Sequence, residues 1–323
     1  MRRVGWLAAL AGLAVLLAIV LAGCSGPPQP ASPAELSQRP LRVATTTNII
    51  TDLATIVGGT RVSVTGLMGA GVNPHLYKAT AGDVQTVRSA DLILYGGLDL
   101  EGRMGDLFAA LEKVRPTVAV TRDIPVDRLR TLNEKSGMRD PHMWFDVSLW
   151  ETATRTVADA YSELDPRHRT YYQDRADAYI ARLRVLDGWV KRRIAAIPAR
   201  RRVLVTSHDA FGYFADRYGM RAAPIKGASM MPEAPPADVE RVAQTVAARG
   251  VPAIFVESSL PPQTIEAVIA AARQRGQEVR VGGELYSDSA GDADTVEGTY
   301  IGMIHHNVNA IADALGGTRH TAR

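Results

Sequence analysis

Residues 165–198 read DPRHRTYYQDRADAYIARLRVLDGWVKRRIAAIP, and the periodicity of this stretch decides how the rest of the chain divides. Apolar residues recur at Tyr172, Ala176, Tyr179, Leu183, Leu186, Val190, Ile194 and Ile197. That three-and-four spacing lines one face of a helix. Arg175, Asp177, Arg182, Arg184, Lys191 and Arg192 fall largely on the other faces. Asp165 suits an N-cap, Pro166 suits the first helical position, where a missing N–H costs nothing, and Pro198 ends the pattern. At 1.5 Å per residue such a helix is roughly 45–50 Å long. Strand-then-helix patterns lie on both sides of it. The stretch therefore predicts a strut between two lobes, 41–164 and 199–315, with the site to be sought between them.

Upstream of the strut, strands are expected at 41–47, 62–68, 92–95 and 117–120. Helices are expected at 48–57, 81–90 (with Thr80 as cap), 102–113 and 148–164, and 121–146 reads as loop without a clear period. Downstream, strands fall at 202–206, 222–225, 253–256 and 279–281, and helices at 210–218, 235–249, 262–275 and 295–315. This alternation predicts an α/β protein of two lobes, each a mainly parallel sheet flanked by helices, joined by one long helix.

The N-terminus is of another kind. Met1-Arg2-Arg3 is a short basic head, 4–22 is apolar apart from Gly5 and Gly12, and small residues lead to Cys24. This describes a secretory signal over 1–23. An uncleaved anchor is the alternative, since about 18 apolar residues nearly span a bilayer. The LAGC motif at Cys24 resembles a bacterial lipobox, which implies cleavage before Cys24 and lipidation of its thiol. Arg2-Arg3 lacks the surroundings of a twin-arginine signal. Residues 25–40, rich in Pro, Ser, Ala and Gln, read as a flexible tether, and 316–323 as a polar tail. Of the 37 basic residues, Arg2 and Arg3 leave with the signal, so 35 face 34 acidic ones, a formal charge of +1. The sequence pI of about 9.0 is therefore no argument for a nucleic-acid partner. The chain has one cysteine, so no internal disulfide is available and the fold must rest on its core.

Three of the seven histidines, His75, His142 and His208, lie in loops at or just beyond expected strand ends, and Asp288 occupies the matching place near the C-terminus. In open α/β sheets ligands bind at that edge. Three imidazoles and a carboxylate make a donor set suited to zinc and its neighbours. The spacings match no local metal motif, and taken singly each histidine reads as a hydrogen-bonded loop or core residue. Glu257 ends a strand facing the same cleft and could orient a histidine through its other ring nitrogen. Asp209 and Asp146 could do likewise or cap the helices that follow them. Trp144 and Phe211 read as packing that shields a site from water. His305 and His306, adjacent on the last helix and about 100° apart around it, read as structural. His168 reads as solvated, and His320 lies in the tail.

Asn73-Pro74-His75, Asp140-Pro141-His142-Met-Trp-Phe-Asp146, Ser207-His208-Asp209-Ala-Phe-Gly-Tyr-Phe214 and Leu285-Tyr-Ser-Asp288-Ser together resemble one family. It is the metal-specific cluster of ABC-transporter solute-binding proteins, which includes zinc- and manganese-binding lipoproteins. Residues 227–239 (GASMMPEAPPADV) and 298–303 (GTYIGM) also look like family segments, so the resemblance spans about 41–315. It implies two α/β lobes joined by one long helix, with the metal buried between them. His75 and His142 would be ligands from the first lobe, His208 and Asp288 from the second. Many manganese-specific members have Glu where this chain has His208. Zinc-specific members usually have His there, and often a His-rich acidic loop that is lacking between His75 and His142. The resemblance leaves zinc and manganese both open as cargo. It implies a monomeric, lipid-anchored extracytoplasmic protein serving a permease and ATPase complex, and no enzyme. Two rival classes are a metal-dependent hydrolase, which needs an open coordination position and a base such as Glu257 or Asp209, and a surface adhesin, a label some members have carried.

Overall fold

The computed structural model describes residues 32–133, 137–227 and 235–317. The expected signal peptide, Cys24, residues 25–31 of the tether, most of the 227–239 segment and His320 lie outside the described residues. From Pro33 onward the described residues form one compact unit. Its edge lies inside the expected tether. Pro33–Leu36 forms a single helical turn with Leu36 buried, and Arg39 pairs with Asp91 at 2.6 Å. A leucine and an ion pair commit this segment to the folded body before Leu41.

The first lobe is built on β1 (Leu41–Thr45), β2 (Val62–Gly66), β3 (Leu92–Tyr95) and β4 (Thr117–Ala119), a wholly parallel sheet in the order β2-β1-β3-β4. Leu92, Ile93 and Leu94 of β3 are all buried, as a strand covered by helices on both faces requires. The helices start where the sequence offers caps. Thr47 accepts from the Ile50 N–H ahead of α1 (Asn48–Gly58), and Thr80 and Asp83 form a reciprocal capping box on α2 (Ala81–Ser89). Helix α3 (Gly105–Leu111) follows β3. The stretch expected as plain loop contains a small antiparallel hairpin, β5 (Thr131–Asn133) with β6 (Met138–Arg139). Two- and three-residue strands are too short to carry a period. Helix α4 (Val147–Leu164), capped by Asp146, leads to the strut.

The strut is α5 (Arg169–Ala195), 27 residues and therefore about 40 Å long. All eight residues of its expected apolar face are buried. Its start differs from the expected one. A 3-10 turn, Pro166–His168, separates it from α4, and the N-cap is His168, not Asp165. Asp165 is fully buried at this corner. Its carboxylate accepts from Arg61 at 3.2 Å and the Tyr172 hydroxyl at 2.9 Å, and contacts the His168 ring at 2.8 Å. His168 is thereby held rather than freely solvated. Burial opposes the Asp165 charge, but the three donors outweigh it and hold the carboxyl below its ordinary range. Asp165→Ala should cost about 3 kcal/mol at neutral pH, because it strands a buried hydroxyl and a half-buried guanidinium. A carboxyl depressed in the folded state stabilises above its unfolded pKa, so the gap between wild type and variant should close as pH falls below about 4. Chemical denaturation at pH 7 and pH 3 reads both.

The second lobe repeats the scheme. β7 (Val203–Leu204) pairs in parallel with β8 (Arg221–Ala222), and β9 (Ala253–Glu257) with β10 (Arg280–Leu285). These are two two-stranded sheets, and the Phe255 N–H, which donates to the Val205 carbonyl just past β7 at 3.0 Å, sets β9 beside β7. Helices α6 (Gly212–Tyr218), α7 (Pro236–Arg249), α8 (Gln263–Gln274) and α9 (Tyr300–Leu315) complete it. Thr299 caps α9, five residues after the expected start. The strut bonds to both lobes through its polar faces. Arg175 donates to the Ile56 carbonyl in α1 at 2.8 Å, Asp187 accepts from Arg217 at 2.7 Å and Tyr218 at 2.9 Å in α6, and Arg193 meets Asn309 at 3.4 Å and Asp313 in α9. Among the described residues no helix is long and apolar enough to cross a membrane.

Candidate metal centre

Two of the three histidines are set by the same local device. In Asn73-Pro74-His75 and in Asp140-Pro141-His142, the side-chain oxygen of the first residue accepts the backbone N–H of the histidine, at 2.9 Å and 3.0 Å. Proline between them fixes one dihedral, and the short Asx side chain closes the turn. Asp140 does more. Its Oδ1 also takes the His142 Nδ1–H at 2.8 Å, which orients the ring with Nε2 toward the other donors. Glu257, at the end of β9, treats His208 in the same way from far off in sequence. Its Oε1 accepts the His208 backbone N–H at 3.0 Å, and its Oε2 lies 2.6 Å from Nδ1, a charge contact without hydrogen-bond alignment. Asp288 follows β10. Its Oδ2 accepts from the Ser259 hydroxyl at 3.3 Å, while Oδ1 faces the rings.

The free atoms converge. His75 Nε2 and His142 Nε2 are 3.2 Å apart, and Asp288 Oδ1 lies 3.3 Å from the Nε2 of both His142 and His208 and 3.9 Å from that of His75. One donor atom from each of the four residues lies within 4.8 Å of the others, and all four residues are buried. Donors about 2.0–2.2 Å from a tetrahedral ion sit roughly 3.3–3.6 Å from each other, so the set fits a first-row divalent cation. Asp288 Oδ1 and His208 Nε2 are buried with no hydrogen-bond partner among the described residues, which is costly unless a cation takes their lone pairs.

The electrostatics divide the rings. Burial lowers the His75 pKa to about 4 and keeps that ring neutral. Burial acts on His142 in the same sense, but the Asp140 and Asp288 carboxylates outweigh it and push the pKa up to about 9. For His208 the charges of Glu257 and Asp288 likewise overcome burial and hold the pKa well above the usual value. Asp288 is kept ionised against burial, chiefly by the imidazoles of His208 and His142.

His75, His142, His208 and Asp288 are therefore brought together, with Glu257 behind His208. Asp209 is not part of this arrangement. Among the described residues it makes no hydrogen bond or ion pair with any of the rings, and the carboxylate behind His142 is Asp140. The Asp-Pro-His repeat of the Asn-Pro-His turn was the signal that could have found it. Asp146 caps α4 by accepting the Ser148 N–H at 2.9 Å. Trp144 packs edge-on against His142 and donates its Nε1–H to the Ser287 carbonyl at 3.1 Å, while Phe145 stacks on Phe211 at 4.4 Å beneath the site. His305 packs on Trp189, and His306 meets the Glu284 carbonyl, both away from the cluster. His75, His208 and Asp288 follow parallel strands directly. His142 instead follows the β5–β6 hairpin.

Comparison with known proteins agrees with this architecture. Residues 43–314 match the family model described as ZnuA, zinc-uptake complex component A, periplasmic. The zinc-binding protein TroA of Treponema pallidum is 46% identical over 273 residues, 84% of this chain and 88% of that protein. The manganese-binding lipoprotein MntA of Bacillus subtilis is 40% identical over 303 residues, 94% of this chain and 97% of that protein. The solved structure of the periplasmic zinc-binding TroA of Treponema pallidum superposes with a TM-score of 0.82 at 45% identity, covering 85% of this chain and 99% of that one. The chain belongs to the ZnuA family, and so to the zinc- and manganese-binding cluster of ABC-transporter solute-binding proteins that its motifs resemble.

Proposed function

We propose that this protein is the extracytoplasmic substrate-binding component of an ABC importer, capturing divalent zinc or manganese between its lobes and delivering it to a permease and its ATPase. The observation that carries the reading is the convergence of four buried donor atoms, two from each lobe, within 4.8 Å. His75, His142, His208 and Asp288 are the proposed ligands, with Asp140 and Glu257 fixing the orientation of two rings. A donor set made wholly of protein groups supports capture over hydrolysis, since catalytic zinc generally keeps a position for water or substrate. Three imidazoles favour zinc over manganese in intrinsic affinity. The relatives' names include both metals, so supply and release decide the cargo in the cell. Lipidation of Cys24 would hold a monomeric protein at the outer face of the cell membrane. A 27-residue strut bonded to both lobes restricts wide hinge opening, so release falls to local loop movement. Competition of zinc against manganese for metal-free protein, followed by a metal-responsive dye, tests capture. Submicromolar binding of one equivalent is expected, and binding no tighter than a surface carboxylate pair overturns the reading.

The proton inventory gives a second expected result. A metal must displace protons from His142 and His208, whose pKa values are raised, but none from His75 at neutral pH. Affinity should therefore decline from about pH 9 downward, and not only below the ordinary imidazole pKa of about 6.5 that composition suggests. Near pH 7 the decline should be at least about tenfold per pH unit, with one or more protons released per ion. Calorimetry in buffers of differing ionisation enthalpy counts those protons, and release of fewer than one contradicts the assignment.

A further inference from the structure

The segment from Tyr286 to Thr299 carries Asp288 and contains no helix or strand between β10 and α9. Its own lobe holds its start: Asn307 accepts the Tyr286 N–H at 3.0 Å and donates to its carbonyl at 2.7 Å. Ser259 of the same lobe also bonds Ser287 at 3.1 Å and Asp288 at 3.3 Å, but beyond Asp288 the hold comes chiefly from one helix of the opposite lobe. The Asn48 side chain accepts the Ala290 N–H at 2.9 Å and donates to the Ala290 and Gly291 carbonyls at 3.0 Å and 3.2 Å. One turn further along α1, Asp52 accepts the Tyr300 N–H at 2.9 Å, at the point where the segment enters α9. Residues four apart share a helix face, so a single rigid surface of the first lobe grips both ends of 290–300.

We propose that Asn48 and Asp52 are a pair of positioning residues that clasp the Asp288 segment to the first lobe and set the rate at which a bound divalent cation leaves. The inference rests on the metal-capture reading above. A cation enclosed by buried donors cannot depart until a wall of the site moves. The strut opposes separation of the lobes as bodies, whereas the Asp288 segment is irregular and its cross-lobe bonds are few. Trp144 and the Gly71 N–H, which donates to Ser289 Oγ at 2.9 Å, also cross the gap. Trp144 packs on a ligand ring and Gly71 contributes only backbone, so neither can be removed cleanly. Asn48 and Asp52 touch none of the four proposed ligands. Asn48 lies two residues from Asp288 through Ala290, close enough for its loss to free the carboxylate without deleting a donor.

The test is stopped-flow release of zinc from the loaded, full mature chain into excess chelator, alongside the association rate and the melting temperature of the metal-free form. Asn48→Ala should speed release about tenfold or more, since it removes three hydrogen bonds, and Asp52→Ala by a smaller factor. Asn48→Asp, which keeps the acceptor for the Ala290 N–H and loses both donated bonds, should fall between wild type and Asn48→Ala. Asp52→Asn, which keeps an acceptor for the Tyr300 N–H, should stay near wild type. Association rates should change by less than about threefold. If Asn48→Ala does not fold, the graded order of Asn48→Asp and Asp52→Asn decides the matter. Release rates equal to wild type in all variants overturn the clasp, as does a lowered melting temperature with unchanged release. Slow release by wild type with no effect of the variants sinks the clasp alone, whereas wild type that retains no zinc sinks the capture reading and the clasp with it.

Discussion

His208→Ala should weaken zinc binding by about two to three orders of magnitude. Four-ligand protein sites hold zinc with roughly 10–16 kcal/mol at neutral pH, so one ligand carries on the order of 3–4 kcal/mol of it. Two features of the site make His208 a severe position. The Glu257 carboxylate, 2.6 Å from Nδ1, raises the basicity of the ring, and that gain is lost with the imidazole. The ring is also the foremost of the groups that keep Asp288 ionised in the interior. His142→Ala should match it, because Asp140 plays the part of Glu257 there. His75→Ala should cost somewhat less, since no carboxylate contacts its Nδ1 among the described residues. Glu257→Gln, which leaves the donor atom in place, should cost only about 10–100-fold. His305→Ala is the matched control and should leave affinity unchanged, because that ring packs on Trp189 outside the cluster. Competition against a chelating dye of known affinity ranks all five.

The second large effect is on stability. Zinc at about 1,000 times its Kd should stabilise the folded protein by about 4 kcal/mol, a rise of about 6–7 °C in melting temperature for a chain of this size. A chelator should reverse it. The increment belongs to the site and not to the fold, so two variants should separate cleanly. Asp165→Ala should melt lower than wild type yet gain the full increment on loading, because its carboxylate pins the corner before the strut and touches no ligand. His208→Ala should lose most of the increment at the same zinc concentration. An equal increment in wild type and His208→Ala would detach the stabilisation from the proposed ligands.

The strut was legible because 27 residues of helix leave a long periodic record, and the buried face reads off Tyr172 to Ile197 without ambiguity. Its first turn was not, because Asp165 satisfies the rule for an N-cap and yet spends its carboxylate on Arg61, Tyr172 and His168 from distant and local positions at once. Parallel strands such as LILY at 92–95 declare themselves by continuous apolar runs, whereas the β5–β6 hairpin is too short to do so. At the site, residue type and flanking motif pointed to the four residues that the fold brings together, whereas spacing alone left each an ordinary loop residue. Glu257 was legible from its place at a strand end. Asp140 was not legible, because the turn geometry that aims it at His142 Nδ1 appears only in three dimensions. Asn48 and Asp52 look like ordinary residues of an amphipathic helix, and nothing local announces partners more than 240 positions away.

X-ray absorption spectroscopy of the zinc-loaded protein tests the central claim most directly, because it reads the donors themselves. The account predicts three imidazole nitrogens near 2.0–2.1 Å and carboxylate oxygen near 2.0–2.2 Å, with one imidazole lost in His208→Ala. A spectrum dominated by water and carboxylate oxygen, or one that keeps all three imidazoles in the variant, would contradict it.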